Sequence, residues 1–388
     1  MAETGKGVIK DLPVKIILTS EGINFFINHK KKLNRFRMAD NVEEYGIFLD
    51  NFSPGSIQRM LLINYISKIE ISRVEFVSKR QEIMDLTKLL VFGVLYKQLD
   101  SIVFKKILGS SLIKDWNRSN PGSIIDEKTN INETVAEKLL QQSQKHVQLV
   151  KKGILSPILA RINGDKNLLS EERKIKYLIC EKFLNNLRPS IWLILSRFQA
   201  SRDYLLLLSQ LRESIMDFLE KTKIAEYLSL MVMELVINAE NTNMQKFVRK
   251  QYSDSINVES LFYDQGIRQK ILREMENSNE NLFLSWKIGT KSSSISTRNR
   301  LQVILYNRES EYRKVKQVID DKKGINLKKK SLTDFYKEAP DSLTNTELGL
   351  YYLSYLHEAC EKVNVKLDSI VNQIQKSDLT VITMSLLF

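Results

Sequence analysis

Apolar residues recur in two different rhythms along this chain. Helical spacing dominates its middle. Ile83, Leu86, Leu89, Leu90 and Gly93 repeat every three to four positions, as do Val135, Leu139, Leu140 and Val147. Leu208, Leu211, Ile215, Phe218 and Leu219 form the apolar stripe of a further helix. A longer helix is predicted from Ile224 to about Arg249, a shorter one over Gln265–Met275, and another over Leu348–Val363. Extended segments are expected near both ends of the chain. Val14–Thr19, Gly46–Leu49 and Ile69–Phe76 are short extended runs, and Leu282–Ile288, Leu301–Tyr306, Lys366–Val371 and Leu379–Leu387 read as strands. The alternation of Ile191, Leu193 and Leu195 with Trp192, Ile194 and Ser196 predicts one more strand. Asn51-Phe-Ser-Pro-Gly55 and Asn120-Pro-Gly122 are turn signals, with a polar loop expected over Trp116–Asn132. Pro157 is expected to break the apolar run Ile154–Ile162. The lysine-rich stretch holding Lys322, Lys323 and Lys328–Lys330 reads as a loop.

These patterns divide the chain into three parts: a small α+β domain over residues 1–78, a mainly helical region over 79–187, and an α/β part over 188–388. The fold class expected is α+β. In the last part helices are inserted among strands, which predicts a two-layer sandwich of one mixed sheet with helices on a single face.

Composition narrows the class. The chain has 388 residues, only 6 prolines and 14 glycines, a content too poor in breakers for a many-turned β sandwich. No uninterrupted apolar stretch reaches the ~20 residues of a membrane span. The first residues lack the apolar core of a secretory signal. Together these features predict a cytoplasmic protein with no membrane span. Cys180 and Cys360 stand far apart, with no metal-ligand or redox spacing, and read as buried thiols. Lysine and arginine exceed acids by 59 to 46, a formal charge of +13. That excess fits either a lysine-rich composition bias or attraction to nucleic acid or an acidic protein. The stretch His29-Lys-Lys-Lys32, followed by Arg35, Phe36 and Arg37, is where phosphates would be met. His29, His146 and His357 are too scattered to argue for a metal site. His146 lacks the flanking pattern of a phosphoacceptor.

The segment most informative for chemistry is Leu230–Asn243. It is apolar nearly all round, yet carries Glu234 and Asn238 four residues apart on one helical face, which Asn241 continues. Two readings of the pair stand. Both side chains face solvent and bond each other, or the carboxylate lies against a cation or a water that compensates its burial.

The run Glu234-Leu-Val-Ile-Asn-Ala239 resembles the N-box of the GHKL superfamily, which holds gyrase-type ATPases, sensor histidine kinases and anti-sigma-factor kinases. The resemblance covers about the last 200 residues. It implies that Asn238 ligates the magnesium that bridges ATP phosphates and that Glu234 is the general base. Thr242 falls where many members carry His, Tyr or Asn. Leu301–Asn307 resembles the strand that ends in the adenine-binding Asp. Asn307 holds that position, followed by Arg308 and Glu309 without the family's glycines. Thr346-Glu-Leu-Gly-Leu350 resembles the second glycine box, a phosphate-binding loop that opens a helix, with Thr346 and Gly349 kept and Glu347 in place of the first glycine.

The resemblance therefore implies ATP and Mg2+ as cofactors, with phosphoryl transfer as the chemistry if the site is active. A pseudokinase or scaffold follows if the lost glycines abolish binding. The expected function is a cytoplasmic regulatory protein with a protein partner, with a homodimer as one assembly open to it. The alternative is nucleic-acid binding through the basic N-terminal region.

Overall fold

The computed structural model describes residues 12–49, 53–127, 133–252, 264–292, 297–307, 345–374 and 379–388. The chain divides into two compact units, residues 1–94 together with 223–388, and residues 95–222. This partition puts residues 188–222 with the helical unit and unites the two ends of the chain, where the sequence pattern expected breaks after 78 and 187.

The first unit is built on an eight-stranded sheet. Its strands are β1 (Val14–Leu18), β2 (Asn34–Arg37), β3 (Glu43–Leu49), β4 (Ile66–Arg73), β5 (Leu282–Ser292), β6 (Thr297–Asn307), β7 (Lys366–Ile374) and β8 (Leu379–Leu387). Their order is β2-β3-β1-β4-β5-β6-β8-β7, and every pair is antiparallel. The expected mixed sheet is thus an antiparallel one. Its central seam joins β4 to β5, so the first and last parts of the chain share one sheet.

Helix α1 (Ser20–Asn28) lies between β1 and β2, and α2 (Pro54–Leu62) between β3 and β4. Residues 14–73 therefore run β-α-β-β-α-β with strand order β2-β3-β1-β4, a split β-α-β arrangement. Thr19 caps α1 by accepting from the Gly22 amide at 3.2 Å. Gly22 is itself required, because a Cβ there would stand 2.6 Å from the Tyr65 carbonyl oxygen. Asn41 turns the chain between β2 and β3 at φ 64°, a conformation that asparagine tolerates.

Residues opposite one another in antiparallel pairs share a face of the sheet. The row Ile16, Ile69, Trp286, Val303 and Met384 is buried, as is the row Ile71, Leu284, Leu305, Ile382 and Val371. The other face carries Lys15, Glu70, Ser285, Ile304, Thr383 and Ile370 in one row, and Lys68, Lys287, Gln302, Ser385 and Asp368 in the next. The apolar face holds the core, together with residues of α3 (Arg80–Gly109), α10 (Lys223–Tyr252), α11 (Gln265–Asn277) and α12 (Asn345–Lys362). Among these, α12 packs along α10, and α10 also meets β5 and β6.

Part of the polar face is nonetheless closed. Met38 and Ala39, at the β2–β3 turn, are buried, and Ala39 packs with Tyr306 and Val381. Beneath them Glu70 is fully buried. It accepts from Lys15 Nζ at 3.3 Å, Ser285 Oγ at 3.0 Å and the Ala39 amide at 3.4 Å. Lys68 lies between Asp40 (3.6 Å), Glu44 (3.6 Å) and Glu70 (3.9 Å). Burial and then these three carboxylates push the Tyr306 phenol well above its ordinary range.

The second unit is helical. Besides the end of α3 it contains α4 (Ser111–Ser119), α5 (Glu133–Gln142), α6 (Gln144–Gly164), α7 (Ser170–Asn185), α8 (Pro189–Arg197) and α9 (Tyr204–Lys221). The expected strand at Ile191 is helix α8. Pro189 starts it, a position where the missing N–H costs nothing, and Ile191, Trp192, Ile194 and Leu195 are buried at helical spacing. The expected loop from Trp116 begins later, because α4 extends to Ser119.

The expected break at Pro157 is also absent. Helix α6 continues through it. Proline at 157 removes the hydrogen bond that the carbonyl of residue 153 would receive. The Arg212 guanidinium, on α9, donates to that Gly153 oxygen at 3.0 Å instead.

Candidate functional site

Helix α10 carries the predicted site. Its apolar side chains Ile224, Leu228, Met231, Val232, Val236, Met244 and Phe247 are buried, and this burial holds the helix in place. Glu234 is 8% exposed, so the reading in which it faces open solvent fails. Its carboxylate stands 3.7 Å from the Arg80 guanidinium, in the first turn of α3. Burial pushes the Glu234 carboxyl up, and the Arg80 charge pulls it down by less. Asn238, Asn241 and Thr242 follow on the helix, each half-buried.

Asn307 is the last residue of β6 and is 4% exposed. Its parity along β6 is that of Val303 and Leu305, so it belongs to the core face of the sheet. Its carboxamide oxygen is buried and accepts no hydrogen bond among the described residues. Buried amide oxygens are rarely left so.

Thr346 and Gly349 lie in the first turns of α12, which starts at Asn345. The box is thus helical backbone from Asn345 on, three residues before the start expected at Leu348. The surroundings of both residues lie outside what is described, as does the lysine-rich stretch 322–330. Tyr355 of α12 stacks on Tyr227 of α10 with ring centroids 5.9 Å apart. Of the six predicted residues, then, Glu234, Asn238 and Thr242 share one helix, Asn307 ends a strand on the core face, and Thr346 and Gly349 belong to the helix packed along α10.

Sequence reasoning missed Glu240. It is fully buried on α10 and accepts from the backbone amides of Phe76 at 2.8 Å and Val77 at 3.3 Å. Its other oxygen receives the Arg268 guanidinium from α11. Burial pushes its carboxyl up to about 7. Glu75 pushes the same way, while the Phe76 amide, Arg268 and the Val77 amide oppose. A signal was available, since Glu240 sits four residues after Val236 and four before Met244, within the buried stripe. A carboxylate in that position has to be met by donors from elsewhere in the fold.

Sheet, helices and buried carboxylates thus define an α+β protein with buried carboxylates both on one long core helix and on the sheet. No helix among the described residues is long and apolar enough to cross a membrane. The chain belongs to the family of unknown function DUF8084, whose model matches residues 5–388. An uncharacterized protein of Treponema pallidum (strain Nichols) is 40% identical over 389 residues, covering 100% of both chains. No solved structure matches the chain.

Proposed function

We propose that the unit of residues 1–94 and 223–388 is a regulatory module of GHKL type, which takes an adenine nucleotide without retaining kinase chemistry and acts through a protein partner. The observation that carries this reading is the Asn307 carboxamide, buried on the core face at the end of β6 with its oxygen unpaired among the described residues. An amide oxygen there accepts the adenine amino group, the role the resemblance gives this position. The packing of α12 along α10, over β5 and β6, supports the same arrangement. Asn238 would hold Mg2+ on the nucleotide phosphates, and the metal would neutralise their charge.

Two features argue against phosphoryl transfer. Glu234 already faces the Arg80 guanidinium, which holds the carboxylate that would have to take up the proton. Glu347 replaces the first glycine of the box at the start of α12, and a negative charge at that position repels phosphates.

Calorimetric titration of ATP with and without Mg2+ tests the reading. Wild type is expected to show weak saturable binding without turnover. Asn307→Ala should weaken it about tenfold, the scale of one lost buried hydrogen bond. Asn238→Ala should abolish the magnesium dependence. Absence of saturable binding by folded protein refutes the nucleotide reading.

A second reading is favoured by a separate observation. The β-α-β-β-α-β part carries Phe36 and Phe48 on its polar face, 6.4 Å apart, with Phe48 43% exposed. Lys30, Lys31 and Lys32 are exposed just before β2. Exposed aromatics on the face of a sheet beside basic residues stack single-stranded bases. Binding of a labelled single-stranded RNA should fall steeply with salt and be weakened by Phe48→Ala. Salt-insensitive or absent binding removes this reading.

A further inference from the structure

The helical unit contains a cleft of 670 Å3 that none of the readings above uses. That volume lies within the range of small-molecule sites, about 300–1,000 Å3. Its walls come from the end of α4, the 123–125 turn, the α5–α6 junction and the end of α8. Trp116 and Phe198 meet edge to face with centroids 5.5 Å apart and form an aromatic corner. The Trp116 indole N–H is spent on the Ser123 carbonyl at 3.1 Å, so the ring itself is what a ligand would meet. Leu139 lines the cleft while 46% exposed, and Leu193 is half-buried there.

Among the described residues lining this cleft, Arg197 is the one formally charged side chain. The Arg197 guanidinium lies over the Trp116 ring, 4.9 Å from its centroid, and is exposed. His146, also exposed, stands at the start of α6. Among the described residues lining the cleft there is no carboxylate. Nor does any described carboxylate lie within ion-pair distance of Arg197. A guanidinium stacked on an indole keeps its N–H edge for an acceptor, and a planar anion satisfies that edge and the aromatic corner together.

We propose that this cleft binds a small planar acid, an aromatic body bearing one carboxylate, sulfonate or comparable anionic group, with Arg197 as the anion contact and Trp116 and Phe198 as the aromatic wall. The ring system lies against the corner and the two leucines, and the acidic group is held at the rim. The inference is independent of whether residues 223–388 take a nucleotide.

The probe is 8-anilinonaphthalene-1-sulfonate, an aromatic sulfonate that fluoresces in apolar sites. Its uncharged counterpart is N-phenyl-1-naphthylamine. Both are titrated into the full chain. One saturable site for the sulfonate is expected. Arg197→Ala should weaken it about tenfold and leave the amine within about twofold, since only the charged contact is removed. Leu139→Glu places a carboxylate on the exposed rim without touching the core, and should likewise weaken the sulfonate selectively. Trp116→Ala should weaken both probes. Circular dichroism of each variant reports its folding. The proposal is overturned if the sulfonate shows no saturable site, if Arg197→Ala and Leu139→Glu leave it unchanged, or if they weaken both probes equally.

Discussion

Glu240 gives the sharpest test of how this fold is held. It ties α10 to the β4–α3 connection through Phe76 and Val77, and to α11 through Arg268. Burial raises its carboxyl from 4.5 to about 7 in the folded protein. The unfolded chain releases that proton near pH 4.5, while the fold keeps it up to about pH 7. Between those values the folded state binds the extra proton, so stability falls as pH rises. At about 1.4 kcal/mol per pH unit, the loss across this window is about 3 kcal/mol, with no further change above it.

Urea unfolding between pH 4.5 and 8 measures the effect. Trp286 of β5 is the reporter, with Trp116 and Trp192 replaced by Phe so that the signal belongs to the sheet. Glu240→Gln removes the titration and keeps an acceptor for the Phe76 amide. Relative to that variant, wild type is expected to lose about 3 kcal/mol from pH 4.5 to 7.5. Glu240→Ala also orphans the buried amide and the guanidinium, and should cost about 2–4 kcal/mol at pH 5. Wild-type stability that rises with pH relative to Glu240→Gln would show that Arg268 and the two amides outweigh burial, and the reasoning would fail.

Two further outcomes follow from other polar contacts. Arg212→Ala strips the Gly153 carbonyl of its substitute donor and should cost about 1–3 kcal/mol, but much less in a Pro157→Ala background, where the helix supplies its own N–H. A double-mutant cycle by urea unfolding measures that coupling. Lys68→Met leaves Asp40, Glu44 and Glu70 crowded without their shared cation and should cost about 3–5 kcal/mol at neutral pH. Part of that loss should return when Glu44→Gln is added to Lys68→Met, which urea unfolding at pH 7 would detect.

Local patterns were legible where one element decides its own state. The apolar run Leu379–Leu387 reads as a strand from sequence alone, and it is β8. The helical stripe of α9 is equally plain. Helix α8 was not, because its apolar run satisfies both rhythms and only packing chooses. Pro157 misled because the donor that replaces its missing N–H lies on α9, remote in sequence. At the candidate site, the spacing of Glu234 and Asn238 was readable on one helix. Arg80 could not be assigned to Glu234, nor Phe76 and Arg268 to Glu240, since those partners come from α3, the β4–α3 connection and α11.

The β4–β5 seam is the most consequential feature that local pattern could not show. Lys68–Arg73 pair with Leu282–Lys287 along the middle of the sheet. A chain cut after residue 78 would turn β4 from an interior strand into an open edge, with Ile69 and Ile71 no longer covered by Trp286 and Leu284. The β-α-β-β-α-β part is therefore half of a sheet rather than a separable domain. Asn307 lies two strands from β4, while Phe36 and Phe48 lie on the strands beyond β1, so both proposed sites depend on the β4–β5 seam for the sheet that carries them.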